Sequence, residues 1–429
     1  MTVATLRFAS LAAWLDWQQS LHPNAIELGL DRVSRVLRRT GWRAPVQPVF
    51  TVGGTNGKGS CVAMLDAILR AAGLRTGTFT SPHLVDYRER IRLDGRWVSE
   101  ASLIAAFERI ADALGDDSLT FFEFNTLAAL LVFETHAPDA IVLEVGMGGR
   151  LDAVNLVDAD EALVASVSLD HIEGLGPDVE AIGREKAGIF RAGRPAICGM
   201  KQPPQTVLAT AQALGTRLKV FGRDFDGVPR GTDAWDYLGE NVQWTALPRP
   251  ALAGATQIGN AAAVLAALEQ AHDRIPVDRA AVERGLKSVV LTGRFERRPD
   301  RRGFEWFLDV AHNPDAARVL AANLREFPVR GRTLAVCGML ADKDIASVLA
   351  ALRNSFDAWF AATTDGPRGL RDAQLAGHAR SLGIEMTCAG DVEAAMRRAA
   401  AAASAGDRVV LFGSFHTVGP ALSLLQDPL

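Results

Sequence analysis

The sequence predicts an α/β protein with two open, mostly parallel sheets, a larger one in the N-terminal part and a smaller one in the C-terminal part. Short β-branched or apolar runs alternate with longer stretches of helical periodicity through most of the 429 residues. Strands that alternate with helices are connected by right-handed crossovers and form parallel, doubly wound sheets. The length also suits about two or three domains.

The elements of the N-terminal part follow from this alternation. The predicted strands are 49–54, 75–81, 140–146 and 161–168, and the predicted helices are 59–73, 99–115, 122–136 and 258–271. The stretch 221–257 is rich in Gly, Pro, Asp and Trp, which predicts short antiparallel strands or loops.

A second α/β alternation follows the charged, turn-rich stretch 291–303, which we interpret as a domain linker. The chain is thereby divided into domains 1–294 and 295–429. The predicted strands of the second domain lie within 304–310, 332–340, 357–364, 384–390 and 407–414, and its helices within 315–327, 342–356, 370–382 and 391–406. This pattern predicts a smaller open sheet with helices on both faces.

Composition favours a globular protein that binds small molecules. Hydrophobic residues make up 48% and charged residues 22%, and the net charge of −4 gives no support to a nucleic-acid partner. The N-terminus lacks the pattern of a secretory signal, and no apolar run approaches the roughly 18 residues of a membrane helix. The four cysteines are far apart, which predicts reduced, mostly buried thiols. We expect a soluble, cytoplasmic protein without a membrane partner.

The strongest chemical signal is GGTNGKGS at 53–60, between a predicted strand and a predicted helix. Glycines permit a tight turn whose N–H groups face a phosphate, and the helix N-terminus and Lys58 add positive charge. The generic loop is GxxxxGK[ST], whereas here the lead-in is shorter and Gly59 separates Lys58 from Ser60. The alternative is a glycine-rich turn with a surface lysine, but the strand–helix context favours a phosphate site.

Three more strands are predicted to end in polar side chains, namely Ser81, Glu144 and His171. The carboxyl ends of parallel strands share one crevice, where ligands bind. Glu144 and Ser81 suit a nucleotide-bound magnesium ion, which takes few protein ligands. A lone histidine is more often structural, yet its predicted place beside the other two favours a metal role for His171.

Lys186 follows Glu185 inside a predicted helix, and two interpretations are open. On the residues alone, a charge exposed to solvent is favoured. The alternative is a lysine near the metal whose lowered pKa leaves the amine neutral and reactive.

The second domain carries DVAHNPDA at 309–316, after a predicted strand. Asp309 and His312 lie at the carboxyl edge of that strand, and Asn313 and Pro314 suit the start of a helix. The alternative is a well-capped helix with an incidental histidine. The motif GSFHTVG at 413–419 adds Ser414, His416 and Thr417 at another strand end, a weak signal by itself.

Taken in order, these motifs resemble those of the folylpolyglutamate synthase and dihydrofolate synthase family, which belongs to the muramyl peptide ligases. The resemblance runs from about residue 20 to the C-terminus and rests on GGTNGKGS, SPHL with YRERIR, FFEFNTLAA, EVGMGGRLDAVN, SLDHIEGLG with EKAGI, GRFE, DVAHNP and LFGSFHTVG. It implies a P-loop nucleotide-binding domain with a central mostly parallel sheet, a smaller Rossmann-like C-terminal α/β domain, and an active site in the cleft between them.

The resemblance also implies roles for individual residues. The implied ATP-binding residues are Gly57, Lys58, Gly59, Ser60, Asn260, Arg294 and Asp309, and the implied magnesium ligands are Ser81, Glu144 and His171. Lys186 matches a lysine that becomes carbamylated near a second magnesium ion, which makes that role the favoured one. His312 and Ser414 match glutamate-site residues, so that Lys58, Lys186 and His312 are the candidate catalytic residues. The implied folate-binding residues are Leu28, Gly29, Leu30, Thr120, Phe121, Phe122 and Glu123.

The implied activity is ATP-dependent amide formation between a folate-type carboxylate and L-glutamate through an acyl phosphate. A bifunctional, monomeric enzyme that acts on dihydropteroate and tetrahydrofolate is expected, with K⁺ as an activator. A muramyl peptide ligase is one competing hypothesis. Such an enzyme should carry a further N-terminal domain for the UDP sugar, for which we expect no room because the phosphate loop begins only about fifty residues from the N-terminus. A P-loop ATPase without ligase activity and a non-catalytic folate-binding protein are two more.

The sequence departs from the family pattern at three positions. Val310 stands where the family usually has Gly, Thr292 where Pro is common, and Val154 where Thr is usual. None of them removes a polar group assigned to catalysis.

Overall fold

A computed structural model of the chain describes residues 7–254 and 256–426. These residues form two compact units. The first unit contains the residues up to Ser81, Arg88–Pro250 and Ile258–Val289, and the second contains Pro82–Tyr87, Ala251–Gln257 and the residues from Val290 onward.

The first unit is built on an eight-stranded sheet. Its strands are β1 (Val49–Gly53), β2 (Thr76–Phe79), β3 (Ile91–Leu93), β4 (Arg96–Trp97), β5 (Ala140–Glu144), β6 (Glu161–Val164), β7 (Pro195–Cys198) and β8 (Arg217–Val220). They lie in the order β4-β3-β2-β5-β1-β6-β7-β8. Neighbours pair in parallel from β2 to β8, whereas β3 pairs antiparallel with both β2 and β4. The mostly parallel sheet that the sequence predicts is thereby confirmed.

A smaller antiparallel sheet of three strands belongs to the same unit, in the order β11-β10-β9. Its strands are β9 (Asp226–Arg230), β10 (Ala234–Leu238) and β11 (Gln243–Pro248). The region predicted as short antiparallel strands or loops therefore forms strands, and the buried Trp235 and Tyr237 of β10 anchor them.

Helices surround the large sheet. They are α1 (Leu11–Ser20), α2 (Asp31–Arg39), α3 (Lys58–Ala71), α4 (Glu100–Ala113), α5 (Phe121–His136), α6 (Ile172–Leu175), α7 (Val179–Ala187), α8 (Gln205–Leu214), α9 (Thr256–Gln270) and α10 (Arg279–Ser288). The predicted helices correspond to α3, α4, α5 and α9. Within the described part of the chain, none of the helices combines the length and the apolar character that crossing a membrane requires.

The second unit is a three-layer α/β structure. Its strands are β12 (Glu296–Pro299), β13 (Glu305–Asp309), β14 (Thr333–Cys337), β15 (Ala358–Ala361), β16 (Thr387–Cys388) and β17 (Arg408–Phe412), in the order β12-β13-β17-β14-β15-β16. Its helices are α11 (Pro314–Glu326), α12 (Ile345–Leu352), α13 (Asp372–Ser381), α14 (Val392–Ala402) and α15 (Phe415–Gln426). Helices α11 to α13 pack on one face of the sheet and α14 and α15 on the other. The predicted arrangement of helices on both faces is confirmed.

Two local predictions differ from the structure. The stretch interpreted as a linker contains β12, which pairs antiparallel with β13 and places a charged strand at the sheet edge. An edge strand is largely exposed and needs no apolar residues, so the charged sequence of β12 does not differ from that of a turn. Strand β6 ends at Val164 rather than at 168, so that His171 lies on the loop that follows and not at the strand end.

The cysteines are mostly buried, as predicted. Cys61, Cys198 and Cys337 are buried thiols, and Cys388 is exposed. Burial raises the pKa of Cys61 to about 12 and raises the pKa of Cys337 and of Cys198 as well, because a thiolate is poorly solvated inside the protein.

Candidate active site

The glycine-rich loop makes a sharp turn from the buried strand β1 into helix α3. Gly57 caps the helix with φ of 86°, a left-handed conformation that glycine adopts without steric cost. Lys58, Gly59 and Ser60 form the first turn of the helix, where backbone N–H groups lack partners within the helix. This is the geometry that the sequence predicts for a phosphate site.

The loop is fixed by the segment that follows β6. The N–H of Thr55 donates to the carbonyl oxygen of Ser166 at 2.8 Å, and the N–H of Asn56 donates to Ser166 Oγ at 2.9 Å. Ser168 and the Thr55 hydroxyl exchange two further hydrogen bonds, of 3.0 and 3.1 Å. These contacts hold the turn rigid, so that its N–H groups keep their direction.

The ammonium group of Lys58 folds back over this turn. Its Nζ donates to the carbonyl oxygens of Gly54 at 2.8 Å and of Thr55 at 3.2 Å. The predicted phosphate-binding cation thus lies within the loop rather than on the open surface.

Asn260 reaches the same loop from helix α9, which is distant in sequence. A methyl group placed on Gly57 would lie 2.9 Å from Asn260 Oδ1, and the thiol of Cys61 lies 4.0 Å from the Asn260 carbonyl oxygen. The structure therefore brings the predicted nucleotide contact Asn260 next to the cap of α3.

Ser81 and Glu144 come together at the carboxyl ends of β2 and β5, which are neighbours in the sheet. The N–H of Ser81 donates to Glu144 Oε2 at 3.1 Å, and Glu144 is buried. The described residues include no cluster of three or more His, Cys, Asp or Glu side chains around one point. A carboxylate and a hydroxyl nevertheless fit a hard cation that takes most of its ligands from phosphate oxygens and water.

His171 lies on the loop after β6, in a left-handed conformation with φ of 51°, and it begins helix α6. Its side chain is exposed, and its backbone N–H donates to Asp170 Oδ1 at 2.9 Å. A left-handed backbone is uncommon for a residue other than glycine, which marks this position as constrained.

Lys186 is buried in helix α7, so its interpretation as a charge exposed to solvent is wrong. The neighbouring Glu185 pairs instead with Arg150, 2.8 Å away, and Lys186 points into the unit. Burial lowers the pKa of Lys186 to about 7, and the positive charge of Lys58 acts in the same direction. The charges of Asp170 and Asp152 oppose this shift. Near neutral pH, a large fraction of the amine is therefore unprotonated.

Asp152 is a buried carboxyl group for which the sequence predicted no role. Its oxygens accept N–H groups from Met147 and Val154, each at 2.9 Å, while burial raises its pKa to about 6. The charge of Lys58 opposes that shift. Asp152 lies within a motif quoted for the family resemblance, but only the fold shows its electrostatic link to both lysines. Val154, which stands where the family usually has Thr, is buried, and its backbone N–H still donates to Asp152.

The two segments predicted to bind folate are each held by hydrogen bonds. The N–H of Gly29 donates to the carbonyl oxygen of Leu151 at 3.2 Å, which fixes the Leu28–Leu30 segment. Thr120 and Glu123 form a capping box at the start of α5, with bonds of 2.8 and 3.3 Å. In the structure, Thr120 and Glu123 therefore cap helix α5.

The two phenylalanines between these residues face different neighbours. The guanidinium of Arg90 lies 5.3 Å from the centre of the Phe121 ring. A methyl group on Gly146 would lie 2.6 Å from the Phe122 ring, so only glycine allows this approach. Phe122 thus packs directly on the glycine-rich turn after β5.

In the second unit, Asp309 ends β13 and organises the backbone around it. Its Oδ2 accepts the N–H of Phe295 at 2.9 Å and its Oδ1 accepts the N–H of Ala311 at 2.8 Å. Burial raises the pKa of Asp309, and the charge of Arg294 opposes that shift. Phe295 has φ of 49°, an uncommon conformation for an aromatic residue.

Arg294 and His312 act electrostatically on this carboxylate, and both lie beside the ring of Phe415. The Arg294 guanidinium lies 5.8 Å from the centre of the Phe415 ring, and the His312 and Phe415 ring centres are 6.3 Å apart. Ser414 is buried, and its Oγ accepts the N–H of His416 at 3.1 Å. Phe415 stands beside Ser414 in the GSFHTVG motif, but the sequence did not predict that its ring lies beside Arg294 and His312.

The start of α11 combines a helix cap with a fixed imidazole ring. Asn313 caps α11 by accepting the N–H of Ala316 at 2.9 Å, as predicted, while His312 Nδ1 donates to the carbonyl oxygen of Val310 at 2.8 Å. The departure Val310 is fully buried and lies in the core under α14 and α15. Its bulk is therefore used in packing and leaves the polar groups in place.

Comparisons with known proteins agree with this geometry. The Mur ligase middle domain matches residues 52–268, and the Mur ligase glutamate ligase domain matches residues 293–415. The dihydrofolate synthase/folylpolyglutamate synthase of Escherichia coli K12 is 43% identical over 97% of this chain and 96% of its own length. The predicted family is confirmed.

Solved structures show the same fold over almost the whole chain. FolC of E. coli in complex with DHPP and ADP has a TM-score of 0.92 and 44% identity, and the match covers 97% of this chain and 98% of that chain. A bifunctional folylpolyglutamate synthase/dihydrofolate synthase with Mn, AMPPNP and L-glutamate bound has a TM-score of 0.90 and 42% identity, over 99% and 100% of the two chains. The predicted fold class is confirmed.

Proposed function

Because this chain belongs to the dihydrofolate synthase/folylpolyglutamate synthase family of Mur ligases, we propose that it joins a folate-type carboxylate to the amino group of L-glutamate at the expense of ATP. The observation that carries the proposal is the buried lysine Lys186, whose lowered pKa is coupled to the phosphate-loop lysine Lys58. An ATPase without ligase activity would need Lys58 to bind phosphate but would have no use for a second, buried lysine beside it.

The proposed substrates are dihydropteroate and tetrahydrofolate, which makes the enzyme bifunctional. Support comes from relatives that match this chain over nearly their full length and that are named for both activities. The proposed folate-binding residues are Leu28, Gly29, Leu30, Thr120, Phe121, Phe122 and Glu123.

The first half-reaction activates the carboxylate. An oxygen of the carboxylate attacks the γ-phosphorus of ATP, the bond to the ADP oxygen breaks, and an acyl phosphate and ADP result. Such a transfer needs positioning and charge neutralisation more than covalent help. The N–H groups of Gly57, Gly59 and Ser60 and the amine of Lys58 supply both. Asn260, Arg294 and Asp309 are the further proposed nucleotide contacts.

The proposed metal ligands are the Glu144 carboxylate, the Ser81 hydroxyl and the His171 imidazole. When bound, Mg²⁺ would neutralise charge on the phosphate oxygens and orient them. A carboxylate that already accepts the Ser81 N–H at 3.1 Å is held in one orientation before a cation arrives. A second Mg²⁺ is proposed near His171 and Lys186.

Lys186 is proposed to act as a carbamate. Its neutral amine adds to the carbon of CO₂, an N–C bond forms, and a proton is released, which leaves an anionic carboxylate on the side chain. A pKa of about 7 makes the neutral amine available near neutral pH. The carbamate would turn a buried cation into an anionic ligand for the second Mg²⁺.

The second half-reaction forms the amide. The α-amine of glutamate attacks the acyl carbon, the bond from carbon to the phosphate oxygen breaks, and phosphate and a proton leave. His312 and Ser414 are proposed to hold the glutamate. A reactant held in the right orientation makes this step effectively unimolecular, which can lower the barrier by roughly 7–11 kcal/mol.

The deciding experiment measures ADP release by the pure protein with glutamate and, in separate reactions, dihydropteroate, tetrahydrofolate or a muramyl peptide acceptor. ADP formation that requires both glutamate and a folate supports the proposal. Turnover with the muramyl acceptor only would assign the chain to the other branch of the family. Equal ADP release without glutamate would indicate an ATPase instead.

Three further expectations rest on the resemblance, namely activation by K⁺, a monomeric state and a cytoplasmic location. Replacing K⁺ with Na⁺ in the ADP assay checks the first, and light scattering of the pure protein checks the second. Fractionation of the source cells checks the third.

A further inference from the structure

Arg32 joins the two segments proposed to bind the folate. Its Nη2 lies 2.8 Å from both carboxylate oxygens of Glu123, and its Nη1 donates to Glu27. We call these three residues the Arg32 clamp. Glu27 precedes the Leu28–Leu30 segment, and Glu123 belongs to the capping box of α5.

The segment before α2 depends on such contacts for its position. Residues 21–29 form neither helix nor strand, so no regular backbone ladder holds them. Single hydrogen bonds hold the segment instead. They include the Gly29 N–H donating to the Leu151 carbonyl oxygen at 3.2 Å and Asn24 Nδ2 donating to Glu27 at 3.1 Å. An ion pair that reaches α5 therefore adds a constraint that these local bonds do not supply.

The Arg32–Glu123 pair of the clamp is shielded from water, whereas the side chain of Glu27 is 42% exposed. The side chain of Glu123 is 4% exposed and that of Arg32 18% exposed. Ion pairs that are screened little by solvent fix geometry more strongly than surface pairs do. Glu123 in turn accepts the N–H of Thr120 at 2.8 Å, so the clamp extends to the start of the helix.

We propose that Arg32 is a positioning residue for the folate substrate. It holds the Leu28–Leu30 segment at a fixed distance from the N-terminus of α5, so that the substrate meets a preformed site. This inference rests on the proposed function, because it takes these two segments as the folate site. Arg32 acts through Glu27 and Glu123 and is not itself a catalytic residue.

The same helix provides a matched control. Arg35 lies one turn further along α2 and pairs with Asp117 at 2.6 Å, in the loop after α4. Its side chain is half-exposed, and both Arg35 and Asp117 lie outside the two folate segments. Arg35→Met therefore removes an arginine and an ion pair from the same helix without disturbing the clamp.

The test compares steady-state kinetics of the wild-type protein, Arg32→Met and Arg35→Met with each substrate varied in turn. We expect Arg32→Met to raise the KM for dihydropteroate and tetrahydrofolate by roughly tenfold or more, because it leaves the buried Glu123 without its cation. The KM for ATP should stay within about a factor of two to three, and Arg35→Met should leave all constants within that range.

Arg32→Lys and Glu27→Gln extend the test if Arg32→Met folds poorly. Lysine keeps the charge but has a single terminal nitrogen, whereas Arg32 contacts Glu27 and Glu123 through two different nitrogens, so an intermediate rise in the folate KM is expected. Glu27→Gln leaves the Arg32–Glu123 pair intact and should raise the folate KM by a smaller factor.

Two outcomes would overturn the inference. One is a rise of the KM values for ATP, glutamate and folate by equal factors in the clamp variants. The other is a loss of thermal stability in Arg32→Met and Arg32→Lys with an unchanged folate KM. A failure of the proposed function looks different, because the wild-type protein itself would then release no ADP with either folate.

Discussion

The Nζ of Lys58 lies 2.8 Å from the carbonyl oxygen of Gly54, four residues earlier in the same loop. The lysine and the turn therefore form one structure, in which the backbone directs the ammonium group. Carbonyl oxygens fix the position of the amine without neutralising its charge. A phosphate that meets the N–H groups of this turn also meets that charge.

Lys58→Ala should abolish ligase turnover and leave the fold intact. Loss of the cation removes charge stabilisation from the transferring phosphoryl group, for which a fall in kcat of at least about a hundredfold is expected. ADP release and the melting temperature measure the two effects. Lys201→Ala is the control, because Lys201 is an exposed lysine of the same unit that pairs with Asp226 at 3.3 Å. Equal activity of the two variants would contradict the assignment.

Lys186→Ala should lose most activity and regain part of it when short carboxylic acids such as acetate are added. These acids can occupy the space of the side chain and replace the proposed carbamate. A fully active Lys186→Ala would show that the carbamate has no role.

The carbamate should also depend on pH in a defined direction. Because the folded-state pKa of Lys186 is lowered from 10.5 to about 7, the amine becomes neutral as the pH rises through about 7. At a fixed concentration of dissolved ¹³CO₂, the carbamate signal in the NMR spectrum should therefore grow between about pH 6 and 8. A signal that first appears near pH 10 would mean that the amine is not desolvated.

Glu161→Gln should stabilise the protein at alkaline pH. Glu161 is buried at the start of β6, and burial raises its pKa from 4.5 to about 8. Between those two values the folded state binds more protons than the unfolded state, so the stability of the wild type falls as the pH rises. The variant has no such group, and at pH 8 it should be more stable by at least about 1 kcal/mol, the equivalent of one pKa unit.

Melting temperatures of both proteins at pH 4 and pH 8 measure this difference, which should disappear at the lower pH. Glu240→Gln is an opposite control, since the hydrogen bond from Lys219 lowers the pKa of Glu240. Removal of that carboxylate should destabilise the protein slightly at pH 8, and this effect should fade as the pH falls below 4.5. The same pH profile in both variants would argue against the burial effect.

Asp309→Asn should lower stability and raise the KM for ATP. An amide offers one oxygen where two N–H groups, of Phe295 and Ala311, need acceptors. The unpaired N–H is expected to cost about 1–3 kcal/mol. Because Phe295 follows Arg294, the shift should also displace the proposed nucleotide contact.

Denaturant unfolding and ATP kinetics together test this expectation. Asp315→Asn serves as the control, because Asp315 is exposed and pairs with Arg318 in the first turn of α11. If Asp309→Asn matched this control in both measurements, the Asp309 carboxylate would have no special role in stability or in ATP binding.

Local patterns in the sequence were sufficient to predict much of the fold and the site. The phosphate loop, the strand ends at Ser81 and Glu144 and the cap at Asn313 each depend on a few consecutive residues. Backbone geometry at such positions follows from residue type, since glycine tolerates a left-handed turn and asparagine caps a helix.

Burial of a single side chain could not be predicted in the same way. Lys186 has an acidic neighbour in sequence, but Glu185 pairs with Arg150 from another segment, and only the fold decides which of the two points inward. The Arg32 clamp likewise joins residues 91 positions apart. Strand β12 was predicted as part of a linker because an exposed edge strand needs no apolar residues.

The distribution of the thiols gives the second unit a natural attachment point for a probe. Cys61, Cys198 and Cys337 are enclosed and resist deprotonation, while Cys388 of β16 is open to solvent. A maleimide fluorophore should therefore couple at one position of the native chain. Its emission could report on events in the C-terminal sheet during turnover, without any cysteine being introduced or removed.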